Sequence, residues 1–353
     1  MHGQSKNKVV GLIVVSDGKF SGVSEIYLSS YISSSIKGIV DFFCGRLINK
    51  EVENSIETLN NIHIPFANRN GVFRSVAGAI YNSILDLYSK NKSLPLHKVL
   101  NHKNIIKNKP KIYASGGTIV MSPDEISDEI KLIIDDGFDG YKLRIANNLI
   151  IEKKRLEKLR NLDIHTMVDA ISSTKNPPYS IKEIYKIMNY LEDLNIFWLE
   201  EPLQPDYFLE MNKLKEKSKI KLAAGEAYVG YNEFKNFIDI SNFDVIQIDA
   251  CHSGSYHECK LIVEHAKKKK KIVASHVWGS AISKLMNYHL AIAFNFDFIE
   301  NPLIETKIDN VFGINLRNLE DFKKYDDLPG IGVDFDENKL ENFRYIKGTE
   351  YNW

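Results

Sequence analysis

The chain changes rhythm about a third of the way along. Residues 9–16 are an apolar, β-branched run, Asp17-Gly18-Lys19 is a turn signal, and residues 23–27 resume the strand pattern. That arrangement predicts a β-hairpin. Helical segments follow. The clearest spans residues 74–90, where Val76, Ile80, Ile84, Leu85 and Leu87 fall roughly on one face. Strands followed by packed helices predict a small α+β unit. Leu94-Pro95-Leu96 and the basic stretch 101–110 read as a surface connection.

From Lys111 the pattern alternates. Short apolar runs at 111–114, 141–144, 166–169, 197–200, 221–224, 245–249, 272–274 and 298–299 are separated by amphipathic stretches such as 181–194, 255–268 and 281–294. The first helix has a strong start at Ser122-Pro123-Asp124-Glu125, with Ser as N-cap, Pro at N1 and Glu completing a capping box, and Gly137 stops it. Eight short strands alternating with helices predict a parallel sheet, and eight suit a closed (β/α) barrel better than an open sheet.

The strand ends carry charge that strand burial does not explain. The second strand holds Lys142 and Arg144. The next ends at Asp169, then come Glu200-Glu201, Gly225-Glu226, Asp249, His276 and Glu300, each about one βα unit after the last. A single carboxylate at such a place is as easily a helix N-cap. Seven in phase are harder to explain that way, and in a barrel they meet at the C-terminal face, where active sites lie. Converging carboxylates repel unless a cation neutralises them. Oxygen ligation by Asp169, Glu200 and Glu226 suits a hard divalent ion, most plausibly Mg²⁺. Lys142 and Arg144 then stand on one flank. Asp249 and His276 stand on the other, as an orienter and a base.

Composition narrows the partners. Lys plus Arg and Asp plus Glu are 46 each, so the formal charge is zero, which argues against nucleic acid as the main partner. No uncharged run approaches the roughly 20 residues of a membrane span. Residues 1–8 are polar, so no signal peptide is expected. Three cysteines, Cys44, Cys251 and Cys259, read as reduced thiols and a cytoplasmic location. The Lys267–Lys271 run reads as a solvated helix end. His252 and His257 beside Cys251 and Cys259 match no usual zinc spacing.

The ordered set Lys142-Leu143-Arg144, Asp169, Glu200-Glu201-Pro202, Gly225-Glu226, Asp249, His276 and Glu300 resembles the enolase superfamily, and its Asp/His pair is similar to the mandelate racemase subgroup. The resemblance covers nearly the whole chain. Asp17-Gly18 through Gly22 and Glu25 resembles the family's capping-domain hairpin, Leu94-Pro95-Leu96 its link into the barrel, and Pro329-Gly330-Ile331-Gly332-Val333 the C-terminal segment that packs back on the cap. It implies a modified TIM barrel of (β/α)7β type with an α+β capping domain. Residues 1–108 would form the cap, 109–320 the barrel and 321–353 the returning tail. The family's first strand and most of its lid loop would be missing, through real loss or a late start.

The resemblance also implies chemistry. A carboxylate substrate binds one Mg²⁺ per subunit, held by Asp169, Glu200 and Glu226; a base removes the α-proton, and an enediolate forms. His276 is the base, held by Asp249. Glu300 is a protonated acid that hydrogen-bonds the enediolate, and Lys142 touches the substrate carboxylate. The family's dimers or octamers imply a homo-oligomer.

Departures from the family pattern shape the reading. Arg144 stands where the racemase has a lysine base, and guanidinium is a poor base. Two-base racemisation is therefore disfavoured against dehydration of an acid sugar to a 2-keto-3-deoxy acid. Racemisation or epimerisation of a 2-hydroxy acid, and a barrel that only binds a ligand, remain open. Asp249 in place of a sixth-strand lysine argues against cycloisomerase, dipeptide epimerase and succinylbenzoate synthase chemistry. Ile171 stands where the family often has a substrate-facing Asn, and the loop 172–180 is about five residues longer than is usual for its place; both imply a reshaped pocket. Trp278 reads as pocket wall.

Overall fold

A computed structural model describes residues 8–62, 71–101 and 109–347. Most of the basic stretch 101–110 and the start of the chain, where a missing strand is expected, lie outside the described residues.

The hairpin forms as expected. Strands β1 (Gly11–Ser16) and β2 (Ser21–Ile26) pair antiparallel, with Val14 opposite Val23. Helices α1 (Ser29–Leu47), α2 (Val52–Asn61) and α3 (Gly71–Asn91) follow. Ile13, Ile26, Phe43, Val76, Ile80 and Ile84 form a core of their own between hairpin and helices. Helix α3 is buried along most of its length because the hairpin covers one side and the barrel the other. Gly22 marks the closest approach: a Cβ there would lie 2.1 Å from the Ser83 carbonyl oxygen.

After α4 (Leu96–Leu100), eight parallel strands close into a barrel: β3 (Lys111–Gly116), β4 (Gly140–Arg144), β5 (His165–Asp169), β6 (Trp198–Glu200), β7 (Lys221–Ala224), β8 (Val245–Ile248), β9 (Ile272–Ser275) and β10 (Phe298–Pro302), with β10 returning to β3. The helices between them are α5 (Pro123–Asp135), α6 (Leu149–Leu156), α7 (Ile181–Asp193), α8 (Phe208–Lys215), α9 (Tyr231–Ile240), α10 (Tyr256–Lys268) and α11 (Ala281–Phe294). Ser122 and Glu125 form the expected capping box, and Ser180 with Glu183 and Ser255 with Glu258 repeat it. The last strand runs further than its apolar pattern suggests. Asn301 and Pro302, beyond the expected run 298–299, pair with Ala114 and Ser115.

Strand alternation builds the barrel interior in layers. Tyr113, Met167, Trp198, Ala223, Val245, Ala274 and Phe298 fill the lower interior with apolar volume. Two residues further along the same strands come Ser115, Asp169, Glu200, Gly225, Gln247, His276 and Glu300. The polar site thus stands on an apolar floor.

The C-terminal segment returns to the cap. Gly330 bridges Leu94 and Leu96 through its backbone, the Ile331 N–H donates to Asp86 at 2.7 Å, and Lys90 donates to the Val333 carbonyl at 2.8 Å. Near this strap, His97 and His289 stack 5.4 Å apart with their Nδ1 atoms at 3.2 Å. One nitrogen must donate and the other accept. Burial, then the neighbouring imidazole, pushes His289 down to about 3. No described helix is long and apolar enough to cross a membrane.

Two outcomes follow for stability. Gly22→Ala should cost roughly 1–3 kcal/mol in urea unfolding, because backbone on both sides must shift. A histidine whose folded value lies below its unfolded one contributes stability above about pH 6.5 and loses it as pH falls. Between pH 6.5 and 5.5 the parent should lose about 1 kcal/mol from His289 that His289→Gln does not lose.

Candidate active site

The strand-end residues converge as the barrel requires. Lys142 is almost fully buried and stands among three carboxylates. Its ammonium donates to Glu200, lies 2.8 Å from Glu300 and 3.8 Å from Asp169. Burial works to lower Lys142, but Glu200 and Glu300 outweigh it and hold the ammonium charged. Arg144 lies one layer higher. It approaches Asp169 at 3.6 Å and Glu300 at 3.9 Å, and donates to Ser115 at 2.8 Å and to the Gly116 carbonyl at 3.3 Å. It is an electrostatic anchor here, as its fixed charge dictates.

Across the barrel mouth stands the second group. The His276 Nδ1–H donates to Asp249 at 3.0 Å, because a carboxylate only accepts, while Nε2 lies 3.2 Å from Glu226. The other oxygen of Asp249 accepts from the Cys251 N–H at 2.8 Å and from Asn287 at 3.0 Å. Asp249 is therefore fixed on both oxygens. Burial would lower His276, but Asp249 and Glu226 raise it well above the ordinary imidazole value, so it is an imidazolium in this arrangement.

The carboxylates divide by environment. Burial pushes Glu200 up to about 7, with Asp169 and Glu300 adding to it against Lys142. Burial likewise raises Asp169, against Lys142 and Arg144. Glu226 has the most open side chain of the set, 18% exposed, and falls to about 2 because His276 and Ser173 overcome its burial. For Glu300, expected as a protonated acid, the balance in this arrangement favours the ionised form. Lys142, then His276 and Arg144, overcome burial and hold it below its usual range, as an acceptor. One oxygen takes the Val277 N–H at 2.8 Å.

Asp169 and Glu200 are register partners on adjacent strands, and Glu226 follows one strand further on. Among the described residues, no three His, Cys, Asp or Glu side chains are placed to hold a metal ion as they stand. The expected ligands are paired with protein cations instead: Asp169 and Glu200 with Lys142, Glu226 with His276. The donor set still fits a hard divalent cation. It offers oxygen alone, and burial and crowding already raise two of its members. Such an ion, held by Asp169, Glu200 and Glu226, would take the place of these protein cations.

The remaining candidates are less central. Ile171 is buried, has a φ of +42° and donates its N–H to Asp169 at 2.8 Å. A β-branched residue in that region is strained, so the turn after β5 is held by its surroundings. Trp278 lies under two cations, Lys8 at 4.4 Å and Arg144 at 5.4 Å. His252 lies tilted against Tyr27, at 53°, and with Cys251 and Cys259 is buried in the protein. The Lys267–Lys271 run is largely exposed at the end of α10.

Sequence reasoning missed several contributors. Glu201 is buried with a φ of +42°, and burial, Glu226 and Glu200 raise its carboxyl well above the usual range. Ser173 donates to Glu226 at 2.7 Å from the long loop. Tyr27 sets its edge against His276 with centroids 5.5 Å apart. The period-two spacing of Glu25 and Tyr27 at the end of a cap strand was the available signal.

A family model for enolase C-terminal domain-like proteins matches residues 125–339. Arabinonate dehydratase of Saccharolobus solfataricus is 26% identical over 94% of this chain and 89% of its own length. o-Succinylbenzoate synthase of Bacillus subtilis is 21% identical over 90% of this chain and 82% of its own. The crystal structure of 3,6-anhydro-D-galactonate cycloisomerase from Zobellia galactanivorans superposes with a TM-score of 0.80 at 24% identity, covering 95% of this chain and 93% of that one. The chain belongs to the enolase superfamily, in its mandelate racemase and muconate lactonizing enzyme-like division.

Removing the central ammonium tests the cluster. In chelator-treated protein, Lys142→Met should cost about 3–5 kcal/mol at pH 7, since it leaves buried carboxylates unpaired. Their folded values would then lie above the unfolded ones, so the loss grows as pH rises through 4.5 and shrinks toward pH 5. Thermal melts at the two pH values check this.

Proposed function

We propose that the protein is a Mg²⁺-dependent acid-sugar dehydratase that forms a 2-keto-3-deoxy acid. The observation that carries this reading is the pairing of one base, His276 oriented by Asp249, with a fixed cation, Arg144, on the opposite flank. A single base favours elimination over racemisation. The arabinonate dehydratase relative supports the substrate class.

Lys142 and Arg144 receive the substrate carboxylate and neighbouring hydroxyls. Bound by Asp169, Glu200 and Glu226, Mg²⁺ supplies Lewis-acid stabilisation as negative charge builds on that carboxylate. With Glu226 holding the cation, Asp249 alone would face His276, and the imidazole would lose one of the two charges that favour its protonation. His276 Nε2 takes the α-proton, and the C–H electrons pass into the carboxylate as an enediolate. Those electrons return to form a C=C bond as the β-hydroxyl leaves, with the proton from His276, as water. The enol then tautomerises to the keto acid. Trp278 and Ile171 line the pocket.

The o-succinylbenzoate synthase relative raises a second chemistry. Asp249 speaks against it, since a buried carboxylate stands where that chemistry uses a sixth-strand lysine. The same proposal places the cap in residues 1–108, the barrel in 109–320 and the tail in 321–353. It takes the enzyme as a cytoplasmic homo-oligomer, dimer or octamer, whose cysteines are unpaired.

The test is a panel of acid sugars with Mg²⁺, read by keto-acid formation. His276→Asn should reduce kcat at least a hundredfold, the scale of lost general-base catalysis, and abolish exchange of the α-proton in D₂O. Racemisation of a 2-hydroxy acid with no keto acid from any sugar would overturn the assignment.

A further inference from the structure

Strand β2 of the cap reaches the barrel at two points, and both touch the segment that carries the base. Glu25 lies near the end of β2 and Tyr27 in the turn that directly follows it. The Glu25 carboxylate is 2% exposed. Both its oxygens accept from the Ser280 N–H at 3.1 Å, one accepts from the Ser280 hydroxyl at 2.6 Å, and one from the Ser283 N–H at 3.3 Å. These donors are the free N–H groups at the start of α11, four residues after His276.

The turn between is gripped along its length. The His276 N–H donates to the Ile248 carbonyl at 3.0 Å and the Val277 N–H to Glu300 at 2.8 Å. Lys8 donates to the Gly279 carbonyl at 3.2 Å. A Cβ at Gly279 would lie 2.6 Å from a Glu25 oxygen, so the backbone passes directly over the carboxylate. Tyr27 completes the contact. Its N–H donates to the Cys251 carbonyl at 3.1 Å, two residues after Asp249. Its ring meets His276 edge-on at 82° and lies 5.0 Å from His252.

A buried carboxylate is a poor way to gain stability, because its desolvation offsets much of what its hydrogen bonds return. Such a group fixes geometry instead. We propose that Glu25 and Tyr27 are positioning residues for the base: Glu25 sets the backbone turn that presents His276, and Tyr27 sets the plane of its imidazole against Asp249. The cap thereby acts on the proton-transfer step as well as covering the site. The inference rests on the assignment of His276 as the base.

The test compares Glu25→Gln, which keeps one acceptor oxygen, with Glu25→Ala and Tyr27→Leu. Each variant is used only if its melting profile shows a folded protein, and Tyr27→Leu decides the matter if both Glu25 variants fail to fold. kcat should fall about tenfold in Glu25→Gln and Tyr27→Leu and about a hundredfold in Glu25→Ala, the scale of a small misplacement of reacting groups. KM should change less than threefold. A second readout needs no substrate: the low-field NMR proton of His276 Nδ1–H, identified by its loss in His276→Asn, should move or broaden in each variant. A folded variant with kcat within twofold of the parent, or with that resonance unmoved, overturns the proposal. If the parent turns over no acid sugar, the dehydratase assignment fails by itself and the resonance alone decides the positioning role.

Discussion

Six carboxylates share the mouth of this barrel with three protein cations. Asp169, Glu200, Glu201, Glu226, Asp249 and Glu300 face Lys142, Arg144 and His276 within a largely buried volume. Charges of one sign cannot be brought together in such a place without protons or cations to match them. The protein meets this constraint by sharing. One ammonium serves Glu200, Glu300 and Asp169, and one imidazolium serves Asp249 and Glu226. The same excess of negative charge favours a protonated His276, and on the proposed reading a divalent cation would relieve it.

The fold around this cluster keeps those charges apart from bulk water and in register with one another. The apolar layer of Tyr113, Met167, Trp198 and Phe298 closes the barrel beneath them. The cap closes it from the side, through the hairpin, through α3 and through Asn82, which donates to the Ala250 carbonyl and accepts from the Tyr256 N–H. The cap hydrogen-bonds the chain near both members of the Asp249–His276 pair. Removing water from the site strengthens each of these interactions, so cap and cluster depend on each other.

Much of this was legible in the sequence because strand and helix periods are local. The eight apolar runs gave eight strands, and charged residues recurring at their ends gave the site. The capping box at Ser122 and the stop at Gly137 appear where local chemistry puts them. The errors are local as well. The exit from β10 was placed early because Asn301 and Pro302 lack strand character, yet pairing with β3 holds them extended. The charge state of Glu300 was not legible locally, because it depends on Lys142, Arg144 and His276, which come from other strands.

The sequence by itself determined the order of elements, the layer in which each strand-end side chain lies, and the residue types available for proton transfer and cation binding. These follow from alternation along a strand and from the chemistry of each side chain. Only the tertiary structure decided which charges pair. It set His276 between Asp249 and Glu226, gave Lys142 to three acids at once, and brought Glu25 and Tyr27 from the cap onto the turn that carries His276. Contacts between residues some 250 positions apart depend on closing the barrel and docking the cap, and no local pattern encodes them.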